Sequence, residues 1–157
     1  MRALAEEIIS VLTERGKMLS VAESFTGGGV VKELVSVPGA SAVVFEGAVC
    51  YSERAKKMRL GVKEETLSAF GAVSPQTAME MAQGLMQTGA CDFAISTTGN
   101  AGPTPSGKAP VGVFYIGVAT PSGVSVFHHC AKGDRQAITK EGIFLALTHL
   151  LNEIKKQ

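Results

Sequence analysis

The sequence predicts an α/β fold, a three-layer α/β/α sandwich around a mostly parallel mixed sheet. Segments with helical apolar spacing alternate with short apolar, β-prone runs along almost the whole chain. That alternation is the signature of strand–helix units packed on both faces of one sheet. Late in the chain two β-prone runs are separated only by Thr120-Pro121-Ser122-Gly123, a turn-forming tetrapeptide. One hairpin of this kind places one antiparallel strand in an otherwise parallel sheet. No repeat, low-complexity tract or linker interrupts the pattern, so residues 1–157 read as a single domain.

Taken in order, Leu4, Ile8, Val11 and Leu12 recur at helical spacing over residues 3–15, and Gly16 follows as a stop. Met18-Leu19-Ser20-Val21 then gives a buried strand over 18–22. It ends abruptly at Ala22-Glu23-Ser24-Phe25-Thr26-Gly27-Gly28-Gly29, which predicts a sharp turn into a helix running to about Val35. Pro38-Gly39 breaks the chain, and the apolar run 43–51 reads as a central strand. Ser52 caps a short helix that carries Lys56 and closes near Gly61. Residues 64–70 add one or two helical turns before Gly71. Ser74-Pro75 opens a longer helix, with its cap followed by proline at the first position, and Gly89 closes it. Residues 93–97 form a short buried strand, 99–110 a loop rich in glycine and proline, and 111–119 with 124–130 the hairpin. Gly133-Asp134-Arg135 leads into a final helix with Ile138, Ile143, Leu147 and Leu151.

Composition narrows the function. The net charge is +1 with no Lys or Arg cluster, so no nucleic-acid footprint or acidic-lipid surface is expected. Apolar content of 45% against 18% charged implies a substantial core and fits burial in an oligomer. The first ten residues, with Glu6 and Glu7, lack the apolar stretch of a signal peptide or membrane anchor, and a cytoplasmic location is the expectation. Cys50, Cys91 and Cys130 form no Cys-x-x-Cys pair. Each lies in or beside an apolar run and is expected to be a small buried hydrophobe.

In parallel sheets ligands sit beyond the carboxyl ends of the strands. Here that rule selects the loops after Ala22, Tyr51, Thr97 and Cys130. The segment Gly102-Pro103-Thr104-Pro105-Ser106-Gly107-Lys108 matches phosphate-loop spacing. However, Ala109 stands where that loop needs Ser or Thr, and a strand follows instead of a helix. Gly27-x-Gly29 lacks the third glycine of a dinucleotide fingerprint. His128 and His129 point to opposite faces of a strand and cannot share one ion, and His149 lies in an apolar helix.

With no histidine base in view, the chemistry left is a serine activated by lysine. Ser24 stands at a turn whose glycines permit close approach of a ligand and whose helix start offers N–H groups to an oxyanion. The competing reading makes Ser24 or Thr26 an ordinary helix cap. Lys56 follows a core strand by five residues at the same rim, and Tyr51 is placed to orient it or relay a proton. Lys57 lies about 100° further round the helix.

Ala22-Glu23-Ser24-x-Thr26-Gly27-Gly28, Pro38-Gly39-Ala40-Ser41, Tyr51-Ser52-x-x-Ala55-Lys56 and Leu60-Gly61-Val62 fit one family in order. So do Gly71-Ala72-Val73-Ser74, Thr98-Gly99-x-Ala101-Gly102-Pro103, Pro110-Val111-Gly112 and Gly133-Asp134-Arg135. Together they resemble the C-terminal domain of the competence- and damage-inducible CinA family, whose stand-alone members are nicotinamide mononucleotide deamidases. The resemblance implies hydrolysis of that carboxamide to nicotinate mononucleotide and ammonia, with no cofactor or metal, by an α/β/α domain that self-associates as a homo-oligomer, most simply a dimer. Its serine–lysine mechanism would fall on Ser24 and Lys56 with Tyr51 nearby. Thr26, Gly27, Gly28, Thr98, Gly99 and Arg135 would line the substrate pocket. The chain departs from the pattern at Phe25, where a small residue is usual, at Asn100 and at Val113, and its 103–110 loop is short. The N-terminal pyrophosphatase-type domain of larger family proteins is not expected in this sequence. Two rival readings follow: a nucleotide-binding module of the same fold without turnover, and an amidase for another pyridine amide.

Overall fold

The computed structural model describes all 157 residues. Its elements are α1 (Arg2–Arg15), β1 (Leu19–Glu23), α2 (Gly29–Val35), β2 (Val44–Val49), α3 (Glu53–Leu60) and α4 (Glu64–Phe70). Then come α5 (Pro75–Met86), β3 (Phe93–Gly99), β4 (Val113–Thr120), β5 (Gly123–Cys130) and α6 (Arg135–Lys155), and a 3-10 turn spans Ala40–Ala42. The five strands form one sheet in the order β2-β1-β3-β4-β5. β1 pairs in parallel with β2 and β3, whereas β4 runs antiparallel to both β3 and β5. Four strands therefore point one way and β4 alone opposes them, as the single hairpin requires. Helices α1, α2 and α6 cover one face of the sheet, and α3, α4 and α5 the other.

Each boundary has a local cause. Gly16 and Gly61 end α1 and α3 in left-handed conformations that glycine adopts without strain. Ser52 and Ser74 accept hydrogen bonds from the N–H groups of Ala55 and Thr77, capping α3 and α5 as read from the sequence. Asp134 caps α6 through Ala137 N–H.

Two expectations are corrected. The 43–51 run is an edge strand and not a central one. Along β2 half-buried and exposed residues alternate, with Phe45 and Val49 exposed, while all five residues of β1 are buried. β2 packs against α2 on one face and places Ala48 against the second core on the other, and no strand covers its open edge. Cys130, at the end of β5, is exposed, unlike Cys50 and Cys91, because β5 is the other edge of the sheet.

β5 and α6 also share a histidine pair that spacing alone did not reveal. His129 and His149 approach at 2.8 Å between their Nε2 atoms, with His149 stacked on Phe127 at 3.8 Å. Burial pushes both imidazoles below their ordinary pKa. The neighbouring His128 adds to this for His129 and His129 for His149, against weaker opposite pulls from Glu141 and Glu153. Because the folded state binds protons less readily than the unfolded chain, stability from this pair is full above the unfolded value of about 6.5 and declines as pH falls below it. The melting temperature should therefore drop between about pH 7.5 and 5.5, and His149→Gln should flatten that slope. An unchanged slope in the variant would assign the drop to other groups.

Candidate active site

Because β1, β2, β3 and β5 run the same way, the loops after Glu23, Val49, Gly99 and Cys130 emerge at one rim. They enclose a pocket of about 320 Å³ whose lining includes Ser24, Tyr51, Lys56, Thr98, Gly99 and Arg135. Residues from all four loops chosen by the strand-end rule thus meet in one cavity.

The turn after β1 decides what Ser24 is free to do. Gly27 and Gly28 take positive φ angles of 62° and 95°, which fold the chain back sharply into α2. The cap of α2 is neither Ser24 nor Thr26. The Glu23 carboxylate, 1% exposed, accepts hydrogen bonds from the N–H groups of Gly28 at 3.1 Å, Val30 at 3.1 Å and Val31 at 2.9 Å. A buried anion satisfied by three helix-start donors is a stable arrangement, and it releases Ser24 from capping. Thr26 is engaged elsewhere: its hydroxyl lies 2.7 Å from that of Thr97 on β3. Thr26, Gly27 and Gly28 do not line the pocket and instead border its outer side, either at a neighbouring groove or beneath α2.

Ser24 Oγ lies 2.9 Å from Lys56 Nζ. The amine also donates to the backbone carbonyls of Cys50 at 2.9 Å and Tyr51 at 3.4 Å. Lys56 is 1% exposed and has no carboxylate partner, while Lys57 is exposed and paired with Glu64 at 2.5 Å. Burial drives the Lys56 pKa down from 10.5 to about 8, with Cys50 and Glu53 pulling weakly upward. Burial also pushes the Cys50 thiol up, against opposite pulls from Lys56 and Arg59. Two carbonyls and one hydroxyl take the three N–H donors of the ammonium, and loss of the proton toward the serine leaves a lone pair facing Oγ while both carbonyl contacts persist.

Tyr51 takes a different position from the one expected. Its carbonyl meets Lys56, but its phenol hydroxyl accepts a hydrogen bond from Arg135 Nη2 at 2.8 Å. Arg135 Nη1 donates to the Gly102 carbonyl at 2.6 Å. Thr98 turns its hydroxyl to the carbonyl of Ala72 at 2.5 Å and so anchors the α4–α5 connection, whose Ala72 and Val73 line the pocket. Those two residues were not singled out from the sequence because they precede a helix and do not end a strand. The only available signal was the Gly71-Ala72-Val73-Ser74 motif.

The departures from the family pattern find structural homes. Phe25 is buried, its ring 5.1 Å from that of Phe114, and it fits because residue 142 is glycine. A Cβ there would lie 2.5 Å from Phe25 Cζ. The ring enters the core beneath α6 and leaves the serine unobstructed. Asn100 staples the 100–112 loop, donating to the carbonyls of Thr104 and Ala109 and accepting from Gly102 N–H.

Near the helix start, the N–H groups of Gly27 and Gly28 are already engaged. Gly27 N–H donates to the Ser24 carbonyl and Gly28 N–H to Glu23. The N–H groups of Phe25 and Thr26, next after the serine, make no backbone hydrogen bond. No cluster of three or more His, Cys, Asp or Glu suited to a metal ion occurs, and no helix is long and apolar enough to cross a membrane.

Known proteins share this fold and much of this sequence. Residues 1–154 match the family model described as the CinA C-terminal domain. The chain is 46% identical over 154 residues to a protein named competence-damage inducible from Caldicellulosiruptor saccharolyticus, covering 98% of this chain and 38% of that one. It is 43% identical over 146 residues to a CinA-like protein from Kosmotoga olearia, covering 92% and 35%. The chain thus spans little more than a third of these curated relatives. Among solved structures, competence/damage inducible protein CihA from Agrobacterium tumefaciens superposes with a TM-score of 0.91 at 40% identity, covering 96% and 94% of the two chains. A CinA superfamily protein from Klebsiella pneumoniae gives 0.93 at 28% identity, covering 99% and 98%.

Proposed function

This chain belongs to the CinA C-terminal domain family, and from that premise we propose that it is an amidohydrolase converting nicotinamide mononucleotide to nicotinate mononucleotide and ammonia. The observation that carries the reading is a buried lysine without a counter-ion, 2.9 Å from a serine at the floor of an open pocket. A lysine in that state is strained as a structural element and suited to act as a base. Neutral Lys56 takes the Ser24 proton as Oγ attacks the carboxamide carbon. The oxyanion that forms is held by the nearest unspent donor that borders the pocket, the N–H of Phe25. Collapse of the adduct breaks the C–N bond, and Lys56 returns the proton to the departing ammonia. Water, deprotonated by the same amine, then splits the serine ester and regenerates Ser24.

Arg135 supplies the anchor for the phosphate. Its two bonds to Gly102 and Tyr51 hold the guanidinium at the mouth and leave three N–H donors unspent. Arg135→Ala should weaken the mononucleotide about ten- to a hundredfold, the value of a charge-assisted hydrogen bond, and leave nicotinamide riboside nearly unchanged. Equal losses on both would make Arg135 structural. The direct test is ammonia release from nicotinamide mononucleotide by the purified protein with and without chelator. Release in both cases supports the reading, and none in either removes it.

A further inference from the structure

Arg135 does more than face the pocket. Through Gly102 and Tyr51 it ties the β3–β4 and β2–α3 connections to the start of α6, so one side chain links three of the four rim loops. There is a cavity on each side of this tie. On one side lies the 320 Å³ pocket of Ser24. On the other lies an open groove of about 460 Å³ along α6, lined by Thr26, Gly27, Gln136, Thr139, Lys140 and Ile143. Phe25, Tyr51 and Arg135 border both. Phe25 is locked in the core, but Tyr51 is 61% exposed and its hydroxyl is held only by Arg135. The partition is thus one ring and one hydrogen bond, both of which a ligand must displace to pass from one cavity to the other.

We infer that the Tyr51–Arg135 bridge is a length filter: closed, it confines ligands to the Ser24 pocket, and open, it joins that pocket to a second nucleotide subsite along α6. The inference rests on the amidase reading above. The chemistry of the groove names its occupant. Lys140 makes no ion pair and offers a cation to a phosphate, Gln136 and Thr139 offer hydrogen bonds to a sugar, and Ile143 gives a small apolar floor. That set suits the second half of a dinucleotide whose carboxamide head lies at Ser24. Tyr51 is thereby a positioning and selectivity residue acting through Arg135, since its contact to Lys56 is made by backbone and survives any change of side chain.

The test measures binding in the absence of turnover. Calorimetry on Ser24→Ala protein compares nicotinamide mononucleotide with nicotinamide adenine dinucleotide, and the mononucleotide should bind at least tenfold tighter. Adding Tyr51→Ala should reduce that preference tenfold or more by improving the dinucleotide. Tyr51→Phe, which keeps the ring and loses the bond, should fall between. Adding Lys140→Ala to the Tyr51→Ala protein should cancel the gain. A preference that stays the same in Tyr51→Ala, or a gain indifferent to Lys140, overturns the filter. Ammonia release by the unmodified protein is measured alongside, so that failure of the amidase reading is seen separately.

Discussion

Replacing Ser24 by alanine should lower ammonia release from nicotinamide mononucleotide about 10³–10⁶-fold while leaving affinity for the nucleotide within a few-fold. Loss of the nucleophile removes the covalent route altogether, and only binding and the oxyanion donor remain to assist water. The fold should tolerate the change. The Ser24 hydroxyl caps nothing, because Glu23 holds the start of α2, and Lys56 retains the carbonyls of Cys50 and Tyr51. Pre-steady-state kinetics of the unmodified protein should show one acyl-enzyme per active site, which Ser24→Ala lacks. An alanine variant with near-normal turnover would remove the covalent mechanism. Thr26 would not inherit the role, since its hydroxyl is spent on Thr97 and faces away from the pocket.

Lys56→Arg should be as inactive as Lys56→Ala, a second loss of about 10³-fold or more. The base must be neutral to take the serine proton. With its pKa lowered to about 8, roughly a tenth of Lys56 is neutral at pH 7, about 300 times more than an ordinary lysine at 10.5 would supply. The rate should accordingly rise with pH through about 8 and level off above it. Guanidinium stays protonated throughout this range and gives no such rise. A flat profile across pH 8, or an active arginine variant, would rule the assignment out.

The same burial has a thermodynamic side. A lysine whose folded pKa lies below its unfolded one destabilises the fold fully at pH below about 8, and this penalty fades as pH rises toward 10.5. Lys56→Met, similar in shape and uncharged, should therefore abolish activity while raising stability at neutral pH by about 1–3 kcal/mol. Gain of stability with loss of function marks a residue retained for chemistry.

Much of this was legible from residue order. Apolar periodicity, the caps at Ser52 and Ser74, the glycine stops and the single hairpin determine the elements and the one reversed strand, because these signals act within a few residues and need no tertiary partner. The rim loops followed from strand direction alone. The run 43–51 misled because apolar content reports packing faces and not the position of a strand within a sheet, and only pairing with β1 on one side places β2 at the edge.

What the tertiary structure decided are the meetings between distant residues. Ser24 and Lys56 are separated by 32 positions, His129 and His149 by 20, and Tyr51 and Arg135 by 84. Sequence order places each of them on a rim, a strand or a helix face. The direction of a side chain, though, is set by whichever neighbour claims it first. Glu23 claims the helix start, so Ser24 is left for Lys56. Arg135 claims the Tyr51 phenol, so only the Tyr51 carbonyl reaches the lysine. Local propensity determines where a residue stands, and competition among buried partners determines what it can do there.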